Sequence, residues 1–114
     1  MKFQIEGQKL RIRIDEDELA RLLAGEALNA RTGFAAVFAI SFEVRTTPAD
    51  GATFSGQADA WQIGLPDAAL REHAARLPTR EGLRYTLAAK DTGDSLQLLF
   101  DVDVRDSVRH RRST

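Results

Sequence analysis

The chain has no cysteine among its 114 residues. Disulfide scaffolds, thiol nucleophiles and thiolate zinc sites are therefore excluded. Imidazole is nearly as scarce: His73 and His110 are the only two histidines, and their separation is not that of a metal-ligand pair. Apolar runs long enough to cross a membrane are missing. Met1-Lys2 leads directly into alternating sequence, without the apolar stretch of a signal peptide. These absences predict a cytoplasmic protein with no membrane partner. The sequence also lacks a Gly-rich phosphate loop, a nucleophile elbow, a His-Glu-x-x-His run and a calcium loop, so no cofactor or metal is expected. Lysine is sparse beside arginine and alanine, a compositional mark of a GC-rich bacterial genome.

What is present suffices for a packed core. With 43% hydrophobic and 29% charged residues the composition is that of a folded domain rather than a disordered chain. The formal charge of −1 conceals an asymmetry. Arg105, Arg109, Arg111 and Arg112 against Asp106 make residues 105–114 a basic tail of net +3, and the remaining 104 residues carry −4. An acidic body disfavours nucleic acid as a partner.

Phe3 and Ile5, then Leu10, Ile12 and Ile14, alternate with polar residues on either side of Gly7-Gln8. That is a β-hairpin with one apolar face. Asp15, with Glu18 three residues on, forms a capping-box pattern ahead of Leu19, Leu22 and Leu23, and predicts a helix from Glu16 to Ala24 ended by Gly25. Phe34 to Val44 is apolar on both faces and predicts one central, well-covered strand. Phe54–Ala58 and Trp61–Leu65 read as two more strands, and Pro66 opens a second helix carrying Leu70, His73, Ala74 and Leu77 that Pro78 closes. Leu83–Lys90 and Leu96–Val104 alternate around an Asp91-Thr92-Gly93-Asp94 turn.

A shift of 51 residues pairs Phe3 with Phe54, Leu10 with Trp61, Ile12 with Ile63, Ile14 with Leu65 and Leu19 with Leu70. The same shift pairs Phe34 with Tyr85 and Ala36 with Leu87. The expected fold is therefore α+β: a mostly antiparallel, barrel-like sheet of two pseudo-repeated β-β-α-β halves, 1–50 and 51–104, plus a C-terminal strand and two short helices. On this reading Ile12, Ile63 and Leu98 lie in a dry core, and any cleft lies between the halves.

Few residues point to chemistry. Asp91-Thr92-Gly93 resembles the signature of aspartic proteases, but only 21 residues follow Gly93 and Asp94 stands where a small side chain belongs. A hairpin turn accounts for it. His73 on the apolar side of its helix offers a general base, but no nucleophile is paired to it by any recognisable spacing, and a boundary histidine with one nitrogen hydrogen-bonded is the favoured reading. Trp61 falls in the apolar register and reads as core. Lys2, Lys9, Arg11 and Arg13 against Glu6 give the outward face of the first hairpin a net charge of +3. Arg11 and Arg13 are the candidate binding residues, since a guanidinium fork matches phosphate or carboxylate. The alternative is a solvated strand face that discourages edge-to-edge association. Arg109-His110-Arg111-Arg112 offers a weak, salt-sensitive contact to nucleic acid or anionic lipid.

The chain carries two family resemblances. Met1-Lys2-Phe3-Gln4-Ile5-Glu6-Gly7, Leu10-Arg11-Ile12-Arg13-Ile14 and the capped Leu19-Ala20-Arg21-Leu22 helix resemble a small family of uncharacterised bacterial proteins. Asp91-Thr92-Gly93 before Leu96-Gln97-Leu98-Leu99 matches the same family's hairpin, whereas Gln8-Lys9 replace its usual Asn-Ser. That resemblance implies a fold unit and no activity. Ile63-Gly64-Leu65-Pro66, Leu70-Arg71 and Arg80-Glu81-Gly82-Leu83-Arg84-Tyr85-Thr86-Leu87 are similar to the strand–Pro–helix–Gly–strand unit of AbrB-like swapped-hairpin regulators. This second resemblance implies a dimer or fused pair that binds DNA. Three functions are therefore weighed: a non-enzymatic module with a protein partner, an AbrB-like nucleic-acid-binding regulator using Arg11, Arg13 and the tail, and a small enzyme with its site between the halves at His73. A homodimer is compatible with each.

Overall fold

The computed structural model describes residues 1–89 and 91–104, so the Arg109–Arg112 cluster and Lys90 lie outside the described residues. Ten elements follow in order: β1 (Lys2–Glu6), β2 (Lys9–Asp15), α1 (Glu16–Leu23), β3 (Leu28–Phe34), β4 (Phe38–Thr47), β5 (Thr53–Gln57), β6 (Ala60–Pro66), α2 (Asp67–Ala75), β7 (Leu83–Ala88) and β8 (Ser95–Asp103). They form two four-stranded sheets, β1-β2-β8-β7 and β3-β4-β6-β5. Each sheet is antiparallel except at its centre, where β2 runs parallel to β8 and β4 parallel to β6. The fold is α+β and mostly antiparallel as expected, but the two sheets stay separate and do not close into a barrel.

The local signals in the sequence place the first helix closely. Asp15 accepts from the Glu18 amide at 2.7 Å while Glu18 Oε1 accepts from the Asp15 amide at 3.0 Å. Two of the helix's orphan N-terminal donors are thereby satisfied. At the other end the amides of Gly25 and Glu26 donate to the carbonyls of Leu22 and Arg21, both at 3.0 Å. Gly25 sits at φ +92°, the left-handed conformation that this closure needs and that a side chain would disfavour. The second helix begins at Asp67 after an extended Pro66 and ends at Ala75, before Pro78 is reached.

The strand expected over Phe34–Val44 is corrected. It is the last residue of β3, a tight reversal at Ala35-Ala36-Val37, and the first part of β4. Ala35 and Ala36 adopt φ +50° and +63°, and the Val37 amide donates to the Phe34 carbonyl at 2.8 Å. Asn-Gly is the usual sequence for two consecutive positive φ values, so an Ala-Ala turn carries no sequence signal. Nor is β4 covered on both faces, since Ser41 faces solvent.

This break completes the repeat. Each half is β-β-α-β-β, and the expected C-terminal strand, β8, is the counterpart of β4. Pairing registers relate the halves by 51 residues across the first hairpin: Phe3 opposes Ile12 as Phe54 opposes Ile63. The offset becomes 55 for β3 to β7 and 56 for β4 to β8, because Leu28 opposes Val44 as Leu83 opposes Phe100. Tyr85 and Leu87 therefore correspond to Ala30 and Thr32, and the expected pairing with Phe34 and Ala36 fails. The cause is the one extra residue of α2 together with the longer connection after it, residues 76–82 against 24–27 after α1. Each half also divides itself between the sheets, so that every sheet takes one hairpin from each half.

The core lies between the inner faces of the sheets and is closed at one end by the helices. Leu10, Ile12, Ile14, Leu98, Phe100 and Val102 face Val44, Ile63 and Leu65, with Leu19, Leu22 and Leu70 from the helices. Ile12, Ile63 and Leu98 are 0%, 1% and 0% exposed, dry as expected. Burying a side chain of this size contributes about 1.5–3 kcal/mol, so these inward positions dominate stability. No helix among the described residues is long and apolar enough to cross a membrane.

Candidate functional site

The outer face of the β1-β2-β8-β7 sheet brings together side chains far apart in the chain. Because β2 and β8 pair in parallel register, Arg11 opposes Leu99 and Arg13 opposes Asp101. On the far side of β8, Arg84 opposes Leu99. One row across the sheet thus reads Gln4, Arg11, Leu99, Arg84. Asp101 holds both expected binding residues. Arg11 donates to Asp101 through Nε at 2.9 Å and through Nη2, and Arg13 Nε donates to Asp101 Oδ1 at 2.9 Å. Burial pushes the Asp101 carboxyl up, but the hydrogen bonds and charges of Arg13 and Arg11 outweigh it and hold the group below the ordinary carboxylate range. The hydrogen bond and charge of Asp101 in turn raise Arg13.

One carboxylate shared by two guanidiniums leaves positive charge unpaired. Arg80 and Arg84 add to it, and neither has an ion-pair partner among the described residues. Arg11, Arg80, Gly82, Arg84, Leu99 and Asp101 line a depression of about 220 Å³. Gly82 brings the preceding loop hard against β8: a Cβ there would lie 2.5 Å from the Phe100 carbonyl oxygen. Sequence reasoning found Arg11 and Arg13 from strand alternation. It missed Arg80 and Arg84 because the parallel β2–β8 contact that carries them alongside is not written in any local pattern.

The equivalent face of the other sheet differs in chemistry. There the row reads Ser55, Gln62, Glu43, Asn29, and Glu43 is paired with Arg45 at 2.9 Å. A depression of about 440 Å³ follows it, with Asn29, Arg31, Ser41, Phe42, Glu43, Trp61 and Gln62 among its lining residues.

His73 is 1% exposed and lines none of these depressions. Desolvation chiefly, and Arg76 secondarily, hold its pKa below the ordinary histidine value, while Asp101 opposes them weakly. It is a core side chain whose charged form is disfavoured by burial. Among the described residues no group of three or more potential metal ligands occurs. Asp91-Thr92-Gly93-Asp94 forms the β7–β8 turn, where Thr92 Oγ1 donates to Asp94 Oδ2 at 2.9 Å. Trp61 is half-buried, within 5.0 Å of Phe42 and 5.6 Å of Phe54 between ring centroids, and donates Nε1–H to the Ala58 carbonyl.

The exposed apolar residues are unevenly placed. Phe34, Val37 and Phe38 are 42%, 79% and 56% exposed at the tip of the β3–β4 hairpin. The two phenyl rings stack on each other at 4.8 Å rather than on the core. At the equivalent hairpin tip the partners of Phe34 and Phe38 are Ala89 and Asp94. By sequence, the chain matches no protein-family model and no curated protein.

Proposed function

We propose that the chain is a non-enzymatic binding module that engages another protein through the tip of the β3–β4 hairpin. The observation that carries this reading is the contrast between two tips that the internal repeat makes equivalent. One ends in Phe34-Ala35-Ala36-Val37-Phe38 and the other in a polar Asp-Thr-Gly-Asp turn, so the fold itself has no need of apolar residues there. Exposed apolar side chains grouped together mark contact surfaces, and aromatic residues are the usual anchors of such contacts. The segment from residue 32 to 42 carries no charge, so the surface it fits is an apolar groove. The burial of His73, which lines none of the depressions described above, favours binding over catalysis.

The test is capture from native lysate with the full chain and with Val37→Asp. Val37 makes no ring contact and is mostly solvated, so the substitution should leave the melting temperature within about 2 °C. A protein retained by the wild type and lost from the variant is the expected result. Identical capture by both would remove the hairpin tip from consideration.

A further inference from the structure

The basic depression on the opposite sheet lies outside that reading, and its chemistry specifies a ligand class. From the geometry of Arg11, Arg80 and Arg84 around Leu99, we propose that the outer face of the β1-β2-β8-β7 sheet binds a small phosphorylated ligand through one phosphoryl or pyrophosphoryl group.

Three features carry the assignment. Adjacent strands lie about 4.8 Å apart, so Arg11 and Arg84, one strand either side of Leu99, have Cα atoms about 10 Å apart. That spacing lets two guanidinium forks close on a group seated between them, over Leu99. Arg80, brought in by the close approach of Gly82 to β8, supplies a third fork. A carboxylate offers two coplanar oxygens, whereas a tetrahedral phosphoryl group presents three or more and suits three converging forks. The second feature is charge. Arg11 and Arg13 share the Asp101 carboxylate, with Asp103 acting on Arg13 at longer range, whereas Arg80 and Arg84 have no ion-pair carboxylate among the described residues. The chain as a whole is net negative, so this excess is local. The equivalent row on the other sheet, Gln62, Glu43 and Asn29, has no cation, and the repeat therefore imposes none here. The third feature is extent. Along the strands, Glu6 stands opposite Lys9 at one end of the same face, and Asp15 stands opposite Asp103 at the other. A depression of about 220 Å³, bounded in this way, holds a phosphoryl group and not a polynucleotide backbone.

The experiment is an amide and arginine Nε–H NMR titration of the full chain with inorganic pyrophosphate at low salt, with a single-stranded oligonucleotide as a parallel arm. Saturable shifts confined to Arg11, Arg80, Gly82, Arg84 and Leu99 are expected. Arg84→Ala should weaken binding about tenfold, as loss of a charge-assisted contact does. Asp101→Asn, which removes the carboxylate competing for Arg11, should tighten it about threefold. Arg71→Ala, on α2 and ion-paired to Asp67, should change nothing. The opposite signs of the Arg84 and Asp101 variants separate a binding site from a merely structural cluster. Shifts spread evenly over all arginines without saturation would overturn the proposal. So would an Asp101→Asn variant that still folds but binds no tighter, or an oligonucleotide that binds more tightly than pyrophosphate with shifts running past Asp15 or Glu6.

Discussion

His73 and Asp101 show how single side chains tie this fold to pH. The unfolded chain protonates His73 near the ordinary value of 6.5, whereas desolvation and Arg76 lower that pKa in the folded protein. In the interval between the two pKa values the unfolded state binds a proton that the native state refuses. Stability is therefore fully present above about pH 6.5 and is lost as the pH falls toward the folded value. The denaturant midpoint should drop between about pH 7.5 and 5.5, and His73→Leu should flatten that dependence. An unchanged slope in the variant would place the titrating group elsewhere. Asp101 adds a second loss at lower pH, since its pKa is also depressed and its stabilisation disappears as the carboxylate is protonated. That His73 lies on the apolar side of its helix was legible from its place among Leu70, Ala74 and Leu77, but its full burial was not, since the pattern fits a boundary position equally. The role of Asp101 was not legible, because its two partners lie 88 and 90 residues away in the chain and meet it through a parallel pairing that alternation alone does not specify.

At the scale of elements, hairpins and caps were readable wherever local chemistry dictates local structure, as at Asp15/Glu18, Gly25 and the alternation of β2 and β8. The β3–β4 turn was the failure, and the reason is energetic. Alanine in the left-handed region is disfavoured by roughly 1–2 kcal/mol per residue relative to the right-handed conformation, so two such residues in succession signal nothing in advance. They are held there by the pairing of Leu28–Phe34 with Phe38–Val44. The strain predicts its own relief. Ala35→Asn with Ala36→Gly supplies residues that accept positive φ and should raise stability by about 1–2 kcal/mol. Thermal denaturation reads this directly. A double variant no more stable than the wild type would mean that the turn differs from the one described. The gain would also leave Phe34, Val37 and Phe38 in place, so partner capture should persist in the stabilised protein.

The whole molecule is organised by exchange. Neither half owns a sheet: residues 1–50 contribute β1-β2 to one and β3-β4 to the other, and residues 51–104 do the same with β5-β6 and β7-β8. The central contacts of both sheets, β2 with β8 and β4 with β6, join one half to the other. The duplication was visible in the 51-residue shift of the first hairpin and helix. The exchange was invisible, since equal apolar patterns are compatible with either half folding on itself. The two arrangements make different predictions for severed halves. If each half folded alone, residues 1–50 and 51–104 expressed separately would both show cooperative melting as monomers. In the observed topology an isolated monomeric half has two hairpins with no neighbour and leaves Ile12 or Ile63, each dry in the intact chain, open to water. Isolated hairpins are marginal in water, so each monomeric half should lack a cooperative transition. Mixing the two should restore one, at a midpoint that rises with fragment concentration because folding is now bimolecular. A half that does fold alone should do so only as a dimer that pairs its own hairpins across a twofold axis, since the second copy then stands in for the missing half. Sedimentation of each fragment, followed by melting of the mixture, separates these outcomes. Cooperative unfolding of a monomeric half would refute the exchanged arrangement.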